Sequence, residues 1–201
     1  MAADSLRTSD LLAVVRRAVA AGVDWIQIRE KDLPARPLAE LARSAVAAAH
    51  GTATHILVND RLDVALATGA AGVHLSEQSL PVAVVERWRR APGCALTGFR
   101  VGASCHSLAA AVEAERAGAD YIFFGPVFAT PSKAAYGPPQ GLERLAEVCR
   151  SVRIPVLAIG GITLENAAAC LTAGAAGLAA IRLFQESPDL DAVVARLRSA
   201  A

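Results

Sequence analysis

The residues Ala117 to Lys133 read AGADYIFFGPVFATPSK. Ala117-Gly118 supplies the glycine that suits the left-handed end of a helix. Tyr121, Ile122, Phe123 and Phe124 follow as a short apolar run, the kind a parallel sheet covered on both faces requires. The run breaks at Gly125-Pro126 and passes into a loop that carries Thr130, Ser132 and Lys133. Hydroxyls and a lysine after a Gly/Pro break suit an anion, and an ordinary strand-to-helix loop with a solvated lysine has the same composition. Both readings stand on this stretch alone.

The junction recurs. Ala21-Gly22-Val23-Asp24, Thr68-Gly69-Ala70-Ala71 and Ala173-Gly174-Ala175-Ala176 each close a helical pattern and launch a strand, at intervals of about two βα units. Strands are expected at Trp25 to Arg29, His55 to Val58, Val73 to Leu75, Thr97 to Ala103, Tyr121 to Phe124, Val156 to Ile159 and Gly177 to Ile181. Helices alternate with them, the first over Asp10 to Ala20 with Ser9 as its candidate cap. Strict alternation along the whole chain implies a parallel sheet with helices outside it. The fold class is α/β, a TIM (β/α)8-type barrel, because no GxGxxG follows the first strand to support a doubly wound sheet. One domain spans residues 1–201. The count is one strand short: seven strands meet eight helices, and MAADSLRT at Met1 to Thr8 is too polar and short to supply the eighth. An incomplete barrel exposes strand edges, so an upstream start or a partner copy in a homo-oligomer is expected to cover them.

Composition narrows the function classes. Hydrophobic residues make up 54% of the 201 and charged residues 19%, which is globular and not disordered. Twenty Lys and Arg against 19 Asp and Glu leave a formal charge of +1, with no global field for nucleic acid or an anionic membrane. The four cysteines, Cys94, Cys105, Cys149 and Cys170, lie far apart without a CxxC pair, which argues against zinc and fits a reducing cytoplasm. No signal segment and no long apolar run appears.

In a barrel of this kind chemistry gathers at the C-terminal ends of the strands. Those ends offer Gln27, Arg29 and Lys31, then Asn59 and Asp60, then His74 and Ser76 to Ser79. Ser104 and His106 follow, then Thr130, Ser132 and Lys133, Gly160-Gly161 and finally Arg182. Alternation puts Gln27 and Arg29 on one face. Cations, hydroxyls and a diglycine before a helix suit a small phosphorylated substrate.

Six segments in order then identify a resemblance: IQIREK (Ile26 to Lys31), VNDRLDVAL (Val58 to Leu66), GVHL (Gly72 to Leu75), GASCHS (Gly102 to Ser107), FGPVFATPSK (Phe124 to Lys133) and PVLAIGGIT (Pro155 to Thr163). The chain resembles the thiamine phosphate synthase family, which includes the thiazole tautomerases. The resemblance implies a cytoplasmic transferase that joins hydroxymethylpyrimidine diphosphate to a thiazole phosphate and releases pyrophosphate. It implies that Gln27, Arg29, Lys31, Asn59 and Lys133 hold the diphosphate substrate and that Asp60 ligates Mg²⁺. Ser104 would face the reacting pyrimidine and pyrophosphate, with Thr130 and Ser132 on the loop side and Gly161 at the thiazole phosphate. Ser104, Lys133 and Arg29 would be the catalytic groups.

The chain departs from the family pattern at two site positions. Ser79 stands where a second metal-binding Asp is usual, with Glu77 close by in sequence. Arg182 stands where Ser is usual, and either grips the phosphate or packs as an ordinary arginine. A tautomerase-like enzyme is the alternative within the family, although such proteins place His where this chain has Pro126. A non-catalytic phosphate-ligand binder is the alternative outside it. His106 is expected to cap or pack around the Ser104 to Ser107 turn.

Overall fold

The computed structural model describes residues 8–93, 96–130 and 138–200. The chain packs as two compact units, Met1–Val73 and His74–Ala201.

The first unit is built from α1 (Thr8–Ala20), β1 (Trp25–Ile28), α2 (Ala35–Ala49), β2 (His55–Asn59) and α3 (Leu62–Thr68). Leu38, Leu41, Ala42, Ala45 and Ala49 repeat at helical spacing along α2 and are all buried. β1 and β2 pair in parallel, with Gln27 beside Leu57 and Ile28 beside Val58. The His55 N–H donates to the Asp24 carbonyl at 2.8 Å, which sets that register at its lower end. Strand β3 (Gly72–Leu75) then carries the chain into the second unit.

The second unit continues with α4 (Val82–Arg89), β4 (Arg100–Cys105), α5 (Leu108–Arg116) and β5 (Tyr121–Phe124). It closes with α6 (Gly141–Ser151), β6 (Val156–Ile159), α7 (Ala167–Thr172), β7 (Gly177–Ala179), α8 (Arg182–Gln185) and α9 (Leu190–Ser199). Its strand order is that of the chain, β3 to β7. The pairs β4–β5, β5–β6 and β6–β7 are parallel. All four residues of β5 are buried, as its apolar run requires. The junction glycines Gly22, Gly69, Gly118 and Gly174 all have positive φ, between 69° and 100°.

The α/β class and the βα repeat of a TIM-type barrel are as expected, with seven strands among the described residues. Several boundaries differ. Nine helices occur among the described residues in place of eight, because the four-residue α8 follows β7. Strand β4 opens at Arg100 and not at Thr97, since Gly98 at φ 80° and the Phe99 N–H to Leu96 carbonyl bond make Leu96 to Phe99 a turn. Helix α1 begins at Thr8 and not at Asp10, so Ser9 lies within it. The segment Met1 to Arg7, too polar and short for an eighth strand by its sequence, lies outside the described residues.

Candidate active site

In the first unit the end of β1 and the end of β2 share one hydrogen-bonded row. The Gln27 Nε2 donates to Asn59 Oδ1 at 2.7 Å, and the Asn59 Nδ2 donates to Asp60 Oδ2 at 2.7 Å. Asn59 is 8% exposed, so leaving either end of its amide unpaired would cost about 1–3 kcal/mol. Satisfied at both ends, it fixes the Asp60 carboxylate. Asp60 itself has φ 58°, the single non-glycine residue with positive φ among those described. Aspartate tolerates this left-handed turn better than most side chains, and such positions concentrate at functional sites. Right after it, Arg61 forks onto Asp63, with Nε and Nη2 at 2.9 and 2.6 Å from its two oxygens. That fork spends the Arg61 cation locally and holds the Asp63 carboxyl below its ordinary pKa.

Arg29 and Lys31 follow β1 in the exposed loop, one residue and three residues beyond its last strand residue, Ile28. Glu30 sits between them. Burial first and the Asp32 charge second push its carboxyl above the usual range, and Arg29 pulls the other way.

In the second unit Ser104 lies half-buried near the end of β4, with its Oγ 2.9 Å from His74 Nε2. The other imidazole nitrogen, His74 Nδ1, is 3.1 Å from Tyr121 Oη. His106 does not pack onto its own turn: its Nδ1 donates to the Gly125 carbonyl at the end of β5. The cap at that turn is Ser107, which accepts from the Ala110 N–H at 3.1 Å. Thr130 is half-buried at the end of the described part of its loop. Ser132 and Lys133 lie outside the described residues.

Two expected features move. Gly160-Gly161 does not open directly into a helix, because α7 begins at Ala167. Asn166 is the reason: its Oδ1 accepts from the Thr163 N–H at 2.8 Å and its Nδ2 donates to the Gly161 carbonyl at 2.9 Å, tying Gly161 to Asn166 into a separate turn. Arg182 does not end the last strand. It is exposed and is the first residue of α8.

Among the described residues no group of three or more His, Cys, Asp or Glu is arranged to hold a metal ion. Asp60 offers a carboxylate whose Oδ2 already accepts from Asn59. One oriented carboxylate fits Mg²⁺, which takes one or two carboxylates, several waters and substrate phosphates. It does not fit zinc, which needs a fuller set of protein ligands.

Cys105 stands between the two site residues Ser104 and His106, but burial, with the Glu77 charge adding, pushes its thiol up to about 12. It is therefore expected to resist alkylation by iodoacetamide at pH 8 in the folded protein and to react once the chain is unfolded. Peptide mapping of the alkylated protein checks this; rapid labelling under native conditions would contradict the burial.

Sequence inspection missed the pairing of His74 with Tyr121. Tyr121 reads as one more apolar residue of its strand, and only register brings its hydroxyl to the imidazole.

A family model described as thiamine monophosphate synthase matches residues 2–184. A relative from Geobacter sulfurreducens is 49% identical over 180 residues, covering 90% of this chain and 82% of its own. The thiamine-phosphate synthase of Roseiflexus sp. is 41% identical over 191 residues, 94% of this chain and 78% of that one. The solved thiamine phosphate pyrophosphorylase from Pyrococcus furiosus superposes with a TM-score of 0.82 at 34% identity, over 94% of this chain and 88% of that one. By the family model, by its relatives and by its fold, this chain belongs to the thiamine monophosphate synthase family.

Proposed function

We propose that residues 1–201 act as one catalytic domain, a thiamine phosphate synthase joining hydroxymethylpyrimidine diphosphate to thiazole phosphate with release of pyrophosphate. The observation that carries this is the row Gln27–Asn59–Asp60, which presents an oriented carboxylate beside amide groups at two strand ends. The bond from the pyrimidine methylene carbon to the diphosphate oxygen breaks, and the pair leaves with pyrophosphate. The thiazole nitrogen supplies the pair for the new carbon–nitrogen bond. The electron-rich aminopyrimidine bears the positive charge that develops between these events, so no protein nucleophile is needed.

What the protein must do is receive negative charge on the leaving group. Arg29, Lys31 and Lys133 are the cations for that task, with Gln27 and Asn59 orienting and the Ser104 hydroxyl donating a hydrogen bond. Thr130 and Ser132 would lie on the loop side of the site and Gly161 at the thiazole phosphate, with Arg182, exposed at the start of α8, as a further candidate substrate contact. Asp60 would hold Mg²⁺ together with the substrate's own phosphate oxygens. When bound, that ion supplies positive charge to the diphosphate. Among the described residues no helix is long and apolar enough to cross a membrane. A cytoplasmic place, small phosphorylated partners and self-association complete the proposal.

Arg29→Ala and Lys133→Ala are each expected to lower kcat/KM at least about tenfold, roughly 1.4 kcal/mol of transition-state stabilisation. Stability should hardly change in Arg29→Ala, because that side chain is exposed. Continuous measurement of pyrophosphate release with both substrates checks this. Release at the unmodified rate in both variants would return the two residues to the status of surface charges. The wider reading is tested by the same assay without thiazole phosphate and without Mg²⁺: release should need both.

A further inference from the structure

A buried imidazole in the GVHL segment, which the resemblance leaves without a role, ties Ser104 to the core. His74 is 1% exposed on β3, and its ring lies tilted against Phe123 with centroids 4.3 Å apart. Its two nitrogens meet two hydroxyls, Tyr121 Oη at 3.1 Å and Ser104 Oγ at 2.9 Å. The surrounding strands are cut to fit this arrangement. Gly102 pairs in register with Tyr121, and a Cβ on Gly102 would overlap the phenol ring. Ser104 pairs with Phe123 two residues on, so phenol, imidazole and serine follow one face of the sheet.

The row can carry its protons in two directions. In one, Tyr121 donates to Nδ1, the imidazole N–H sits on Nε2 and donates to Ser104 Oγ, and the serine keeps its own proton for a ligand. In the other, Nδ1–H donates to Tyr121 and the serine hydroxyl is turned inward to Nε2, which presents only lone pairs outward. An anionic leaving group selects the first, since lone pairs facing a diphosphate repel it. Burial, and then the Asp120 charge, hold the Tyr121 hydroxyl above its ordinary pKa, so the proton the first direction needs stays on the phenol. Each bond in such a chain strengthens the next.

We propose that His74, fixed by Tyr121, is a positioning residue that aims the Ser104 hydroxyl proton at the departing diphosphate of the substrate. This rests on the proposed synthase function and adds a role for two residues that the motifs leave unassigned. It also makes Ser104 a donor and not a nucleophile, because the imidazole gives a proton to Oγ and does not take one.

The test is a set of kinetic comparisons on pyrophosphate release. His74→Leu is expected to lower kcat about 10- to 100-fold, as Ser104→Ala does, with KM for the diphosphate substrate changed less than threefold. The double variant should be no slower than Ser104→Ala alone, since two groups acting as a unit lose their effect once. His74→Gln, whose amide N–H can take the place of Nε2–H, should recover most of the lost kcat. Tyr121→Phe, which keeps the ring, should lose about three- to tenfold and lose nothing further when Ser104 is already alanine. A buried histidine that merely fills space would give losses that multiply with Ser104→Ala and would not be rescued by glutamine; either result overturns the proposal. If His74→Leu does not fold, Tyr121→Phe decides, and an unchanged kcat overturns the proposal. An active wild-type protein with an unaffected His74→Leu variant removes this inference alone. An inactive wild-type protein removes the synthase function and this inference with it.

Discussion

Asp60→Ala is expected to abolish pyrophosphate release at every Mg²⁺ concentration, a loss of about 1000-fold or more, equivalent to roughly 4 kcal/mol. The reason is arithmetic of charge. Asp60 is the carboxylate that the Asn59 amide orients at 2.7 Å, and the family resemblance sets its usual carboxylate partner at Ser79, a neutral group. With one protein carboxylate in place, removing it leaves a cation only the substrate's phosphates. Alanine also sits poorly at φ 58°, at a cost of about 1 kcal/mol. Asp60→Asn separates the two effects: it keeps an acceptor for Asn59 and tolerates the turn, yet lacks the charge. It should be as inactive as the alanine variant and as stable as wild type. The unmodified protein should need a high Mg²⁺ concentration for half-maximal rate, and Ser79→Asp should lower that concentration. A Mg²⁺ curve that does not move in Ser79→Asp would mean that Glu77 already fills that role or that Ser79 does not stand at it.

Gly125→Ala is expected to destabilise the chain by about 3 kcal/mol and to lower Tm by roughly 6–12 °C. A Cβ at this position would overlap the Ile159 carbonyl, which is backbone and cannot swing aside. That carbonyl already accepts from the Val127 N–H at 2.9 Å, and the Gly125 carbonyl accepts from His106. Displacing the exit of β5 therefore breaks contacts on both neighbouring strands and moves the loop that leads to Thr130. Gly177→Ala is the control. Its nearest neighbour is a Leu157 side-chain atom at 3.6 Å, an ordinary contact, so that variant should stay within about 1 kcal/mol of wild type. Thermal unfolding of both variants measures the difference; equal Tm values would contradict the tight approach of β5 to β6.

What could be read in the sequence follows from how local each signal is. Strand β5 is bounded by Gly118 and Gly125 and filled with apolar residues, so its limits come from neighbouring residues alone. The β1 end is similar: alternation puts Gln27 on a defined face, although its partner Asn59 is 32 residues away and only pairing of β1 with β2 reveals it. Short elements mislead. β7 is three residues, Gly177 to Ala179, but the apolar Ile181 beyond it reads as strand, which sets Arg182 at a strand end it does not occupy. The turn at Leu96 to Phe99 carries β-prone Thr97 and Phe99 and reads as a strand until Gly98 takes a positive φ. The His74 row was illegible for a different reason. It joins residues from β3, β4 and β5, and tertiary register, not local pattern, decides which hydroxyls an imidazole meets.

The central claim is tested most directly by mass spectrometry of the wild-type protein incubated with hydroxymethylpyrimidine diphosphate, thiazole phosphate and Mg²⁺. Thiamine phosphate should accumulate in equal amount to released pyrophosphate, and neither should form when Mg²⁺ or thiazole phosphate is left out. Absence of thiamine phosphate at every Mg²⁺ concentration, with the protein folded, would contradict the claim and leave a phosphate-ligand binder in its place.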